Sequence, residues 1–470
     1  MWKALWKKVC VVVGAPLGVF ATALLGHRLV APGDAYNLIL PQHILVGRLL
    51  RAGELPLLNA YRFAGYPLLG ASQAGVFYPP NWLFTFLPAV TANNLNVVFT
   101  FVVASLGAFF LSRRLCHDDI GATVSGLAFG LSGYLFAHLV HENVIAGLAW
   151  LPWALYLFEL SLDRLTPRRV FLGGGTLALV LFTGHSQTFF IVVLVLGTYA
   201  SSLAILTFKR SFLRPLLVAS VLIVVGVGLS GVQLVPTASV VGDSSRSAVD
   251  YETATSFSLP GSHIPLVVFP YLFGNKVSSG PFDGPYHGRW NLPEMSAYPG
   301  MVALVLAGAG VTMARHHRRI VALIAVALIT FVIALGSSTP FGQLVYAVPL
   351  YGRFRAWARY LVGVDLAVAM LAGYGVAALR SVIASRRLRA RRGAFVVAAL
   401  VAVFAIVVTR LGPVKPFLAD GSTRTWALVI PVAAAGLGAL LCLWLGRVRR
   451  AATAIVAVAV AADALLGFGA

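Results

Sequence analysis

Apolar residues fill this chain in near-continuous runs of roughly 20 residues, separated by short basic clusters rather than by strict apolar-polar alternation. In lipid such a run must satisfy its backbone N–H and C=O groups within itself, which makes each one a helix unless the runs close into a barrel. The absence of alternation favours helices. Counting from one basic cluster to the next predicts about thirteen spans of about 20 residues each. The first runs from Val9 to about Leu25 behind Lys3, Lys7 and Lys8, and the second from about Asn93 to Leu111, ahead of Arg113 and Arg114. A third and fourth, about 120–136 and 144–160, form a hairpin whose far turn reads HLVHEN. The stretch from Val170 to Thr207 is too long for one span and carries a polar GHSQ at its middle, so it divides into a fifth and sixth. Spans seven to ten end near Val235, Arg315, Gly336 and Leu379, and the last three near Val408, Leu445 and Phe468.

Composition agrees with that pattern: 59% of residues are hydrophobic, 11% are charged, and the mean hydropathy is +0.87. A soluble domain cannot hide so much apolar surface. The expected architecture is therefore all-α and polytopic, one transmembrane domain over residues 1–470 in the inner (plasma) membrane.

The net charge of +21 would suit a nucleic-acid partner if it formed a patch. It lies instead in short loops between apolar runs, which is a topology signal. It places the N-terminus in the cytoplasm and the C-terminus outside, with two long outer segments, about 26–80 and about 236–296. Nucleic acid is excluded as a partner; membrane lipid is expected. Cys10, Cys116 and Cys442 stand far apart and suggest neither a disulfide framework nor a thiolate metal site.

The outer segments hold the candidate chemistry. Asp34 stands where the first span meets outer loop 1. Glu294 lies near the end of loop 2 beside Tyr286, His287, Arg289 and Trp290, and aromatic rings next to a carboxylate suit a sugar, whose faces stack while its hydroxyls hydrogen-bond. An interfacial aromatic belt explains the same residues equally well. His185 and Gln187 of TGHSQ are costly within the apolar zone unless they face a cavity or a partner helix. In HLVHEN, Glu142 is a candidate substrate contact, whereas the order of His138, His141 and Glu142 does not match the zinc-protease H-E-x-x-H. No metal ligand is assigned.

Before the tenth span, YGRFRAWARY sets Arg353, Arg355 and Arg359 where ordinary outer loops carry few bases. A lipid phosphate needs such fork-shaped, permanently charged donors. If the segment is helical, Arg355 and Arg359 share a face and can clamp one anion. Asp365, inside the span, is expected to pair with Arg359 or an arginine of another span.

GDAYNLILPQ, ELPLLNAYRFAGYPLLGASQAGVFYPPNWL, the SGY of Ser132 to Tyr134, AWLPWALYLFE, TGHSQ and FRAWARYL, in this order, together resemble the YfhO family, which is grouped with the GT-C glycosyltransferases. The resemblance implies transfer of a sugar from a polyprenyl-phosphate carrier to an extracytoplasmic acceptor (a polymer, lipid or glycan), with inversion at the sugar carbon. It maps the carboxylate at the start of the first outer loop onto Asp34, as general base, or alternatively as a group that positions the acceptor or holds a divalent cation. Members often run longer than this chain, which stops at DALLGFGA; the part that recognises the acceptor is then absent or belongs to a longer polypeptide. A transporter or flippase of a lipid-linked sugar is the rival reading, and would call for inverted repeats and broken helices.

Overall fold

The computed structural model describes residues 2–242, 249–274, 286–313, 317–349, 351–381, 383–408, 422–445 and 459–463. The chain is helical apart from one small antiparallel hairpin among the described residues, β1 (Leu58–Asn59) with β2 (Tyr66–Pro67). The principal helices are α1 (Trp2–Val19), α2 (Leu40–Arg51), α3 (Ala89–Cys116), α4 (Asp119–Gly130), α5 (Leu151–Asp163), α6 (Pro167–Phe182) and α7 (Ser186–Leu206). They continue with α8 (Leu213–Leu229), α9 (Gly231–Gly242), α10 (Met301–Val311), α11 (Arg318–Leu335), α12 (Val362–Leu379), α13 (Ala384–Val408) and α14 (Ser422–Leu445).

Among the described residues six stretches are long and apolar enough to cross a membrane, or seven if α8 and α9, bent by 70° at their junction, count as one. The protein is thus a multi-pass membrane protein, and among the described residues the full-length candidate spans number fewer than the roughly thirteen expected from the sequence pattern. One reason is that several apolar runs are broken: α10 is only 11 residues long and starts behind Gly300 at φ +88°. At Pro236, where the second outer segment is expected to start, the helix α9 does not end but continues through that proline to Gly242. The last predicted span, about 451–468, falls largely outside the described residues. The division at GHSQ is found, between α6 and α7.

Ion pairs gather the helix ends that bear the basic clusters. Arg113 and Arg114, closing α3, meet Asp119 at the start of α4 (2.7 Å) and Asp163 at the end of α5 (2.6 Å), so α4 to α5 goes out and comes back beside α3. Arg319 grips the buried Glu159 at 2.7 Å, and Arg380, just after α12, meets Asp118 at 3.1 Å. The opposite helix ends surround the site described below, where a further buried ion pair, Arg359 with Glu294, is found.

The centre of the bundle is α12. Its span is 89% buried, against 17% for that of α13. Nothing in α12's hydropathy demands this; its glycines permit it. A Cβ on Gly375 would strike the Leu306 carbonyl of α10, one on Gly310 the Leu371 carbonyl, and one on Gly121 the Gly373 carbonyl at 2.5 Å. Small residues let backbones approach, and dispersion between them replaces the hydrophobic drive that lipid does not supply.

Candidate active site

A cleft of about 600 Å³ opens between the segment from Asp34 to Gln73, the turn of the α4–α5 hairpin, the start of α7 and the segment before α12. Asp34, Tyr66, His141, His185, Gln187, Arg353, Arg355 and Arg359 supply much of its polar lining, and Leu38, Ile39, Phe190 and Phe354 part of its apolar lining.

Arg359 organises the wall. Its Nε donates to Glu294 Oε2 at 2.9 Å, Nη2 to Oε1, and Nη1 to both Gln187 Oε1 and His185 Nε2 at 3.0 Å. A guanidinium only donates, so His185 accepts at Nε2 and carries its proton on Nδ1. Gln187 Nε2 donates back to the Arg355 carbonyl at 2.7 Å. TGHSQ can reach this place because Gly184 turns at φ +87°, where a Cβ would collide with the Ser72 carbonyl. The SGY motif braces the other side: Gly133 N donates to Tyr298 O and Tyr134 Oη to Arg359 O, each at 2.9 Å.

Glu294 is buried, 3% exposed, in a short helix whose first turn is capped by Asn291. Burial pushes its carboxyl upward, but the Arg359 guanidinium and His138 together outweigh that and hold it well below the usual carboxylate range. It is therefore an ionised anchor for Arg359. His138 Nε2 stands 3.5 Å from Glu294 Oε2, and His141 Nε2 lies 3.8 Å from Oε1 and 3.9 Å from Asp34 Oδ2. A file of polar groups thus leads from the buried ion pair to Asp34, whose side chain is 66% exposed at the cleft. Asp34 precedes the widened turn Ala35–Ile39, a π-helical irregularity of the kind that re-aims side chains at functional sites.

Several sequence expectations change. Arg355 and Arg359 do not share a helical face: Ala356 adopts a left-handed φ of +60°, the helix starts beyond it, and Arg359 turns inward to Glu294 while Arg353 and Arg355 stay exposed at the cleft. Asp365 is not the partner of Arg359, which is engaged by Glu294, His185 and Gln187. Glu142 faces away from the cleft, accepting from Asn93 at 3.2 Å beside a separate chamber of about 10 Å³ that also touches His43, Asn81 and Asn96. Tyr286 and Trp290 are not cleft residues: Tyr286 donates to the Arg289 carbonyl, and Trp290 packs on Phe257 with ring centroids 4.6 Å apart. Their short loop pairs with its own neighbours, which satisfies it locally. Conversely, His138 and His141 were visible in HLVHEN only as a metal pattern to reject, and Tyr66, Ser72 and Gln73 carried no signal beyond their place in outer loop 1. Among the described residues no three of His, Cys, Asp and Glu stand where they could share a metal ion.

No family model matches the chain, and no curated protein matches it. Among solved structures it is similar to the crystal structure of ArnT from Cupriavidus metallidurans in the apo state, with 15% identity and a TM-score of 0.46 over 94% of this chain and 72% of that one. A likeness this loose assigns this chain neither an activity nor a substrate.

Proposed function

We propose that this protein is a membrane glycosyltransferase of GT-C type that moves a sugar from a polyprenyl-phosphate carrier to an extracytoplasmic hydroxyl acceptor. One observation carries the reading: a single cleft unites an exposed carboxylate, Asp34, with two arginines, Arg353 and Arg355, whose charge no carboxylate among the described residues matches by an ion pair. The motif resemblance points to the same chemistry.

In this reading Asp34 removes the proton from the acceptor hydroxyl as its oxygen attacks the anomeric carbon. The bond from that carbon to the phosphate oxygen breaks on the opposite side, and polyprenyl phosphate leaves with the electron pair. Arg353 and Arg355 take up the phosphate charge. A phosphate is a stable anion at neutral pH, so no general acid is needed. Glu294, His185 and Gln187 act indirectly, by fixing Arg359 in the wall, and Leu38, Phe190 and Phe354 offer apolar surface to the first isoprene units. The cleft faces the extracytoplasmic side of the plasma membrane, as the basic loops require.

α9, which follows α8 after a 70° break and lines the cleft with Thr237 and Val240, favours a second reading as a transporter of the same lipid-linked sugar. One assay separates them: membranes containing the parent, Asp34→Asn or the double Arg353→Gln/Arg355→Gln chain are given radiolabelled polyprenyl-phosphate sugars. Transfer by the parent that falls by about 100-fold or more in Asp34→Asn supports the transferase. Lipid crossing the bilayer without transfer supports the transporter.

A further inference from the structure

The segment between α2 and the cleft presents a compact apolar finger. At its base Leu68 is 1% exposed and packs with Val46, Ala74 and Val76, so the root has its own core. At its tip the opposite holds: Leu55 is 71% exposed, Leu58 56%, Tyr61 86% and Phe63 78%. Phe63 and Ala64 are both held at positive φ, +52° and +57°, a backbone that non-glycine residues adopt at a cost and that here keeps the phenyl ring turned outward. Arg62 lies over the Phe63 ring at 5.2 Å.

We propose that this finger is seated in the outer leaflet of the bilayer, its rings and leucines at the boundary of headgroups and acyl chains and its arginines against anionic headgroups. Three observations select lipid over another occupant. Tyrosine, phenylalanine and leucine beside arginine are the composition that settles at that boundary. The root is tied to the start of a candidate span: Arg51, closing α2, donates to the Thr85 carbonyl at 2.7 Å, and α3 begins four residues later at Ala89. Phe86, also on that turn, is 78% exposed and extends the same apolar surface towards the span. The charge is one-sided, with Arg48, Arg51 and Arg62 against Glu54 alone between residues 48 and 66.

The placement matters to the cleft, because β2 carries Tyr66 and continues into Gly70–Gln73, which line it. The finger therefore holds one wall of the cleft against the leaflet in which a lipid-borne ligand diffuses. This inference concerns a surface and stands whether the cleft transfers or transports.

The test uses the full chain with Cys10, Cys116 and Cys442 replaced by serine, and single cysteines at Tyr61, Phe63 or, as a polar control, Glu252, each bearing an environment-sensitive fluorophore. The protein is reconstituted in phosphatidylcholine vesicles with and without phosphatidylglycerol. At positions 61 and 63 the emission is expected to be blue-shifted and quenched by shallow spin-labelled lipid but not by aqueous iodide, with the reverse at 252. Iodide quenching at 61 and 63 without lipid quenching overturns the proposal. So does protection that disappears when the protein-to-lipid ratio is lowered, since that identifies a second copy as the cover. Retained lipid quenching on dilution, stronger with phosphatidylglycerol, is the supporting result.

Discussion

At Arg359 a single side chain holds four acceptor atoms on three residues, and the consequences of removing one are unequal. Glu294→Gln leaves the guanidinium buried without its counter-charge and is expected to destabilise the protein by about 3–5 kcal/mol. Replacing both members with apolar residues of similar size, Arg359→Met with Glu294→Met, is expected to recover much of that loss. Thermal unfolding of the purified protein in one detergent, compared across the two variants, checks this; equal melting of the single and double variants would refute the pairing argument. His43 gives a pH-dependent counterpart. It is 3% exposed, its nitrogens meet no hydrogen-bond partner among the described residues, and burial lowers its pKa to about 4. The unfolded chain binds the proton more readily, so this contribution is complete above pH ~6.5 and is lost as pH falls through about 4. It amounts to about 3 kcal/mol. His43→Leu should flatten the stability curve across that window, and an unchanged slope would show that other groups govern it.

Among the elements, α12 owes its central place to glycine. Gly375→Val brings side-chain carbon onto the Leu306 carbonyl, a backbone atom that cannot swing away. A loss of at least about 1–3 kcal/mol is expected, read as a lower melting temperature or failure to accumulate in membranes. The same change at Gly436 of α14, where a Cβ meets nothing within 4 Å, serves as the neutral control. The start of α10 depends on a remote residue: Asp463 accepts from Val302 N at 2.6 Å and from Tyr298 Oη at 2.8 Å. It caps that helix and steadies the strip that includes Glu294. Asp463→Ala is expected to cost about 1–2 kcal/mol, whereas Asp463→Asn, which keeps an oxygen acceptor, should cost less.

For the whole molecule, the basic helix ends at one side and the cleft at the other define a polarity, whose expected orientation follows from the basic loops. Single cysteines at Glu252 and Ser385, in a background without the native three, test it with a membrane-impermeant maleimide on intact cells. Labelling at 252 but not 385 is expected; the opposite pattern would invert the protein and remove the cleft from the extracytoplasmic side.

Much of this was legible in the chain. Runs such as 186–206 and 362–379 are predominantly apolar, and lipid leaves such a run one solution, a helix with its backbone bonds closed within itself. The split at GHSQ, the α4–α5 hairpin and the interest of Asp34, His185, Gln187 and the late arginines could be read there too. What the sequence could not assign was the pairing. Glu294 and Arg359 are 65 positions apart, and His185 and Arg359 are 174 apart, so no local period connects them. A left-handed Ala356 turned Arg359 from a phosphate ligand into the partner of Glu294, and local hydrogen bonds drew Tyr286 and Trp290 away from the cleft. Hydropathy fixes which segments leave water, because transfer free energy sums along the chain. Which polar side chains then meet depends on how close two helices can come and which way one turn bends, and those are decided only when the whole bundle packs.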